Sequence, residues 1–299
     1  MVVDFSEDIL ETCRSLVLDE DYANQNNYVL VVHSAKGGSG KSTIALNLAL
    51  QYASKGLQTV VLDLAMYGSI GAMLKMPHRG RGLAAIITLL EEDEHAIRSW
   101  KFGEHLRRAI VSHPLQGGKL DVLVAATPVK MDKLSLDSVE TIIEVLKAHG
   151  YQMIIVDTSS EISARCIGAL NKATKILLAV TPDMTCAWNT VQLQDIFKSI
   201  MVEREKVVLV GNRVGEGLGL KLEELGELIG IDFAAEIPED YRLVQALANQ
   251  GTPLIFRDGN AVSLALKELA NFFYPIYTQQ QLRGKSGSFI SDFLRKRVR

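Results

Sequence analysis

Six short apolar runs mark the chain: 28–34 (YVLVVHS), 58–64 (QTVVLDL), 120–126 (LDVLVAA), 152–157 (QMIIVD), 175–181 (KILLAVT) and 206–212 (KVVLVGN). Each is a nearly unbroken stretch of Val, Ile and Leu, the pattern of a strand covered on both faces. Between them apolar positions recur at helical spacing, over 41–55, 135–149, 185–202, 218–229 and 240–250, with 261–277 closing the series. Strand and helix in alternation predict an α/β fold: a mostly parallel, doubly wound sheet with helices on both sides. No internal repeat and no Pro/Ser-rich linker interrupts residues 28–278, so a single domain is predicted there. Residues 1–27 precede it as an acidic helical extension, with Phe5, Ile9, Cys13, Leu16 and Val17 at helical spacing, either packed on the domain or docked on a partner. Residues 279–299 follow as a hinge and tail.

Segment 76–118 departs from the alternation. It holds Pro77, His78, Arg79, Gly80, Arg81 and Gly82, then a charged helical stretch, then Pro114 and a Gly117-Gly118 turn. It reads as an insertion with a surface role or as a long loop carrying a helix.

The net charge of −3 hides an asymmetry. Residues 1–27 carry −6 and residues 283–299 carry +5, which leaves the body near −2. A body without a basic stripe argues against broad contact with nucleic acid. No uncharged apolar run reaches the ~18 residues of a membrane span. The first residues carry acids where a secretory leader needs bases. A cytoplasmic protein is expected. Cys13, Cys166 and Cys186 are widely spaced, which argues against a disulfide framework or a thiolate metal cluster. No H-x-x-x-H pairing occurs among the histidines, so no histidine metal site is predicted.

The candidate chemistry begins where run 28–34 enters Lys36-Gly37-Gly38-Ser39-Gly40-Lys41-Ser42-Thr43, followed by a helix. Three glycines let the backbone curl so that successive N–H groups point at phosphate oxygens. The start of the helix adds its positive end. Lys41 supplies a point charge for β- and γ-phosphates, and the Ser42 hydroxyl suits Mg²⁺.

The loop departs from the general G-x-x-x-x-G-K-[ST] form: Ala35 stands at the first Gly position and a Lys follows at 36. K-G-G-x-G-K-[ST] resembles the deviant Walker A loop of the MinD/ParA superfamily, P-loop NTPases of the SIMIBI type. The resemblance covers about residues 28–278. It implies an ATP-dependent sandwich homodimer in which Lys36 reaches the partner's nucleotide. It also implies roles for other positions: Asp63 and Asp157 on Mg²⁺ together with Ser42, Asn212 and Arg213 beside adenine, and Pro238 and Glu239 lining the base. Lys36, Lys41 and Asp63 would be the catalytic residues. The run Val60 to Ile70 looks like that of the MinD, FlhG and CpaE/TadZ positioning ATPases.

One family feature is missing. The D-x-D switch carries a second acid that positions the attacking water, and here Asp63-Leu64 is followed by Ala65. Ala65 has no side-chain oxygen to orient water or accept a proton. Three readings stand side by side: a weak ATPase used as a nucleotide-gated scaffold, replacement of the acid by another group such as Glu161, or an introduced Asp→Ala change. Nucleotide binding uses other groups and is expected to survive in each, while hydrolysis is slow wherever no other group replaces the acid.

The tail adds a second activity. Placed on a helix, Phe289, Phe293, Ile290, Leu294 and Val298 fall within roughly 180° of arc, with most of the bases opposite. An apolar face with a basic back reads as an interfacial membrane helix, and MinD and FlhG carry similar targeting helices. The other reading is a helix that packs on the body or on a partner protein. Together these readings predict a homodimeric ATPase switch, peripheral on the inner face of the cell membrane, that positions a partner assembly and answers to an unidentified activator. The alternative is a ParA-type DNA partition ATPase. An iron–sulfur carrier would need Cys166 or Cys186 paired across a dimer axis.

Overall fold

The computed structural model describes residues 27–76, 80–215 and 220–275. Its frame is an eight-stranded sheet: β1 (Tyr28–His33), β2 (Thr59–Asp63), β3 (Val111–Leu115), β4 (Gly118–Leu123), β5 (Met153–Asp157), β6 (Lys175–Val180), β7 (Val207–Val214) and β8 (Phe233–Pro238). The order is β3-β4-β2-β5-β1-β6-β7-β8. Every neighbouring pair is parallel except β3/β4. All six predicted strands are present, as a mostly parallel α/β sheet.

Both faces of the central strands are covered, which explains their unbroken apolar runs. Along β1, Val29 and Val31 enter one core with helices Leu136–Ala148 and Ala164–Asn171, while Leu30 and Val32 enter the other with Lys41–Ser54 and Ala261–Phe273. All four are fully buried. Each such side chain contributes about 1.5–3 kcal/mol by leaving water.

Segment 76–118 is more regular than the sequence suggests. It contains helices Leu83–Glu92 and Phe102–Ala109 and then β3, which forms a hairpin with β4. Pro114 is tolerated because β3 is the edge strand. Gly82 (φ 73°) lies where a Cβ would meet the Val124 carbonyl at 2.5 Å, and this close approach seats the segment against the residue that follows β4. The sequence reading also misses β8 and helix Ala164–Asn171. The predicted 218–229 helix begins at Leu222, and the 261–277 helix ends at Phe273. Pro77, His78, Arg79, the acidic segment 1–26 and the tail with Phe289, Ile290, Phe293, Leu294 and Val298 lie outside the described residues. Among the described residues no helix is long and apolar enough to cross a membrane.

The chain leaves β1 for strands on one side and returns past it, through β5, to β6 on the other. The crevice beyond the carboxyl end of β1 is therefore a switch point, the place where open α/β sheets bind ligands.

Candidate functional site

The loop 34–40 occupies that crevice between β1 and helix Lys41–Ser54. Gly38 (φ 74°) and Gly40 (φ 90°) adopt left-handed conformations that turn the backbone into the helix. A Cβ on Gly40 would also lie 2.3 Å from Asn212 Nδ2. Asn212, at the end of β7, donates to the Ser39 carbonyl at 2.6 Å. The sequence reading places Asn212 beside a base; the structure shows it bracing loop 34–40.

The two lysines of the loop have different surroundings. Lys41 is buried and its Nζ donates to Ser160 Oγ at 2.8 Å and to the Lys36 carbonyl at 3.5 Å. Burial pulls its pKa below the usual lysine value, and the Asp157 charge opposes that shift. A buried ammonium with only neutral hydrogen-bond acceptors suits an anionic ligand. Lys36 instead points outward at 39% exposure and pairs with both oxygens of Asp183 at 3.0 Å. Asp183 also caps helix Met184–Ser199 by accepting from the Cys186 amide at 2.9 Å. Burial alone would raise its carboxyl, but hydrogen bonds from Thr181, the Cys186 amide and Lys36 hold it below the usual range.

Asp63 and Asp157 stand in register at the ends of β2 and β5, both fully buried. Asp63 accepts from the Ala65 and Ile70 amides at 3.3 Å. Burial, then the Asp157 charge, pushes its pKa well up. Gly68 closes over it: a Cβ there would meet Asp63 Oδ2 at 2.6 Å and the Ala125 Cβ at 2.2 Å. Among the described residues neither Asp157 oxygen has a hydrogen-bond partner. Burial pushes this carboxyl up to about 6, while the nearby Ser42 hydroxyl, short of hydrogen-bonding geometry, and Lys41 pull it back.

Two buried carboxylates, one without any donor, beside the half-buried Ser42 form an oxygen donor set that fits a hard divalent cation such as Mg²⁺. The pH dependence follows. In the free protein, the stability conferred by protonating Asp157 is full below its ordinary value of 3.8 and is lost as pH rises through about 6. A bound cation reverses that preference. The gain in melting temperature from Mg²⁺·ADP is therefore larger at about pH 7.5 than at about pH 5. Scanning calorimetry checks this, and an equal gain at both would contradict it.

A cleft of about 170 Å³ opens beside the loop, lined in part by Gly40, Thr43, Asn212, Arg213, Pro238 and Glu239. A register shift between Asn212 and Val214 throws Arg213 into a left-handed conformation (φ 62°), with Nε 3.9 Å from Glu239 Oε2. The predicted base-lining positions thus converge on one cleft next to the phosphate loop. Ala65 sits half-buried two residues beyond Asp63, and Glu161 is engaged by Arg165. Both described cysteines are buried, so neither is presented at the surface, and burial pushes the Cys166 thiol up to about 12.

Sequence reasoning missed four contributors: Asp183, Ser159, Ser160 and Arg165. Ser159 and Ser160 lie two and three residues after Asp157, the one sequence signal available for them. His33 is also part of the support. It is buried under the loop, hydrogen-bonded to Thr158 Oγ1 at 2.8 Å, and held neutral by burial and Lys41 with a pKa of about 3.

Residues 25–199 match the sequence profile of the ParA family, described as NUBPL iron-transfer P-loop NTPase. The septum site-determining protein MinD of Escherichia coli is 26% identical over 238 residues, covering 76% of this chain and 83% of that protein. A ParA family ATPase from Chlorobium tepidum shares the fold with a TM-score of 0.70 at 21% identity, over 82% of this chain and 98% of that one. The Pyrococcus horikoshii MinD complexed with Mg-ADP does so with a TM-score of 0.68 at 18% identity, over 86% and 98%.

Proposed function

The chain belongs to the ParA family of P-loop NTPases, within the MinD/ParA superfamily, and from this we propose that it is an ATP-dependent dimerising switch that positions a partner assembly at the inner membrane surface. The observation that carries the reading is the division between the two lysines. Lys41 is sunk in the site, whereas Lys36 lies at its rim, its ammonium tied among the described residues only to the partly exposed Asp183 carboxylate. An exposed pair of this kind is weak and exchangeable. A second copy bringing a triphosphate to the rim offers Lys36 a stronger anionic partner.

In the proposed mechanism, the amides of loop 37–43 and Lys41 grip the phosphates, and the cleft at Asn212, Arg213, Pro238 and Glu239 receives the base. Ser42, Asp63 and Asp157 would hold Mg²⁺, which supplies neutralisation of phosphate charge. Asp183 releases Lys36, which crosses to the partner's nucleotide. Without a side-chain oxygen at Ala65, water is poorly oriented and the ATP-bound dimer is long-lived.

Membrane attachment rests on the tail. Each base near an anionic leaflet is worth ~1 kcal/mol, and two tails in one dimer gain through effective concentration. Flotation with anionic liposomes tests this, using the full chain and a chain ending at 282. ATP-dependent flotation that the shortened chain loses is the expected result. Equal flotation in ADP and ATP contradicts it, and retention on DNA without flotation favours a partition ATPase.

A further inference from the structure

The mechanism above leaves Arg165 unused, yet this guanidinium is only 3% exposed. Burying a charge is costly unless it is paired and hydrogen-bonded. Arg165 meets that cost through three separate segments. Its Nε donates to the Leu64 carbonyl at 3.2 Å. One Nη donates to the Glu161 carboxylate. The other lies 3.3 Å from Asp132 Oδ1, on a side chain 66% exposed.

Leu64 separates Asp63 from Ala65, so its backbone sets how both residues face the site. Its amide donates to the Asp157 carbonyl at 2.8 Å, and its carbonyl accepts from Arg165. The stretch is thus held on one side by the strand carrying Asp157 and on the other by Arg165. Loop 158–163 adds parallel ties: Ser159 Oγ accepts from the Met66 amide at 2.7 Å, and Ser160 Oγ accepts from Lys41. Three consecutive residues, Ser159, Ser160 and Glu161, therefore hold the loop after β2, the buried lysine and Arg165 in turn.

We propose that Arg165 is a positioning residue for the nucleotide reaction. Through Leu64 it fixes residues 63–65 against Asp157 and so sets the donor array for the divalent cation, with Glu161 serving as its anchor. This rests on the reading that the site binds ATP with a divalent cation. It also assigns Glu161 the task of holding Arg165 rather than that of a free base replacing the acid missing at Ala65.

The test uses the full chain with Arg165→Met, Arg165→Lys, Glu161→Gln and the Arg165→Met/Glu161→Gln pair, each also made together with Ala65→Asp to give measurable turnover. Affinity for a fluorescent ADP without metal reports the loop and cleft. The magnesium concentration for half-maximal thermal stabilisation of the ADP complex reports the array around Asp63. Arg165→Met leaves metal-free ADP affinity within about threefold. It raises the magnesium requirement by about tenfold or more, the usual effect of removing a group that orients a metal ligand. With Ala65→Asp present it lowers kcat by about tenfold while KM stays nearly constant. Arg165→Lys recovers part of each loss. Glu161→Gln shifts the same quantities, and the pair is no worse than Arg165→Met alone, because the two residues act as one unit.

A folded Arg165→Met chain with unchanged magnesium requirement and kcat would overturn the proposal. So would a Glu161→Gln loss that adds in full to that of Arg165→Met. If Arg165→Met fails to fold, Arg165→Lys and Glu161→Gln decide by the same readouts. Failure of the unsubstituted chain to bind ADP at all would remove the nucleotide reading itself, and this proposal with it.

Discussion

Replacing Ala65 by Asp raises ATP turnover by at least about tenfold, and by as much as about 10⁴-fold if the carboxylate takes up full water-positioning duty. Position 65 is suited to it. The residue is half-buried at the site, and its amide is held by Asp63 Oδ1 at 3.3 Å, so a side chain there projects from a fixed point. The remaining parts of the site are assembled around it. Glu161, the group that would otherwise fill the gap, is tied to Arg165. Steady-state phosphate release by the two chains at saturating ATP and Mg²⁺ measures the effect. Equal rates would mean that position 65 plays no part in activating water.

Lys41→Ala weakens ATP binding by about 30-fold to several thousand-fold, corresponding to the roughly 2–5 kcal/mol of a buried, hydrogen-bonded charge pair. Isothermal titration of the full chain with ATP·Mg²⁺ reads it. The same substitution moves the melting temperature of the free protein little or upward. Burial already works against the Lys41 charge, since its pKa is pulled down by desolvation first. The fold thus carries an ammonium that is unfavourable until an anion arrives. A wild-type affinity in Lys41→Ala, or a large loss of stability without ligand, would show that Lys41 is a structural residue.

How much of this was legible in the sequence depends on where each contact comes from. The central strands announce themselves because both faces are buried, so β1, β2, β5, β6 and most of β7 read as continuous apolar runs. β3 and β8 are edge strands whose residues alternate between the body and solvent, and β3 contains Pro114; short alternating runs of this kind are hard to tell from loops. The phosphate loop was legible because its glycines, lysine and serine are contiguous, with a strand before and a helix after. Asp63 and Asp157 were legible as acids ending apolar runs. That they sit side by side follows from β2/β5 pairing, which spacing does not state.

Other contributors looked like ordinary local features. Asp183 reads as a helix cap, which it also is, and its grip on Lys36 joins residues 147 apart. Arg165 reads as the partner of Glu161 one helical turn away, a pair common on exposed helices, whereas its decisive contact is with Leu64, 101 residues earlier. Asn212 was expected beside a base, but its hold on the Ser39 carbonyl depends on β7 lying next to β6 and β6 next to β1.

In the proposed dimer two nucleotide-filled sites face each other, each completed by the other's Lys36. The most direct test is the particle mass of the full chain in solution with ATP·Mg²⁺, measured by light scattering beside ADP·Mg²⁺ and beside Lys36→Ala in ATP·Mg²⁺. Twice the chain mass in ATP alone, with single-chain mass in ADP and in the Lys36→Ala protein that still binds ATP, is the predicted result. A chain that stays single in saturating ATP·Mg²⁺, or a Lys36→Ala protein that doubles its mass as readily as the unsubstituted one, would contradict it.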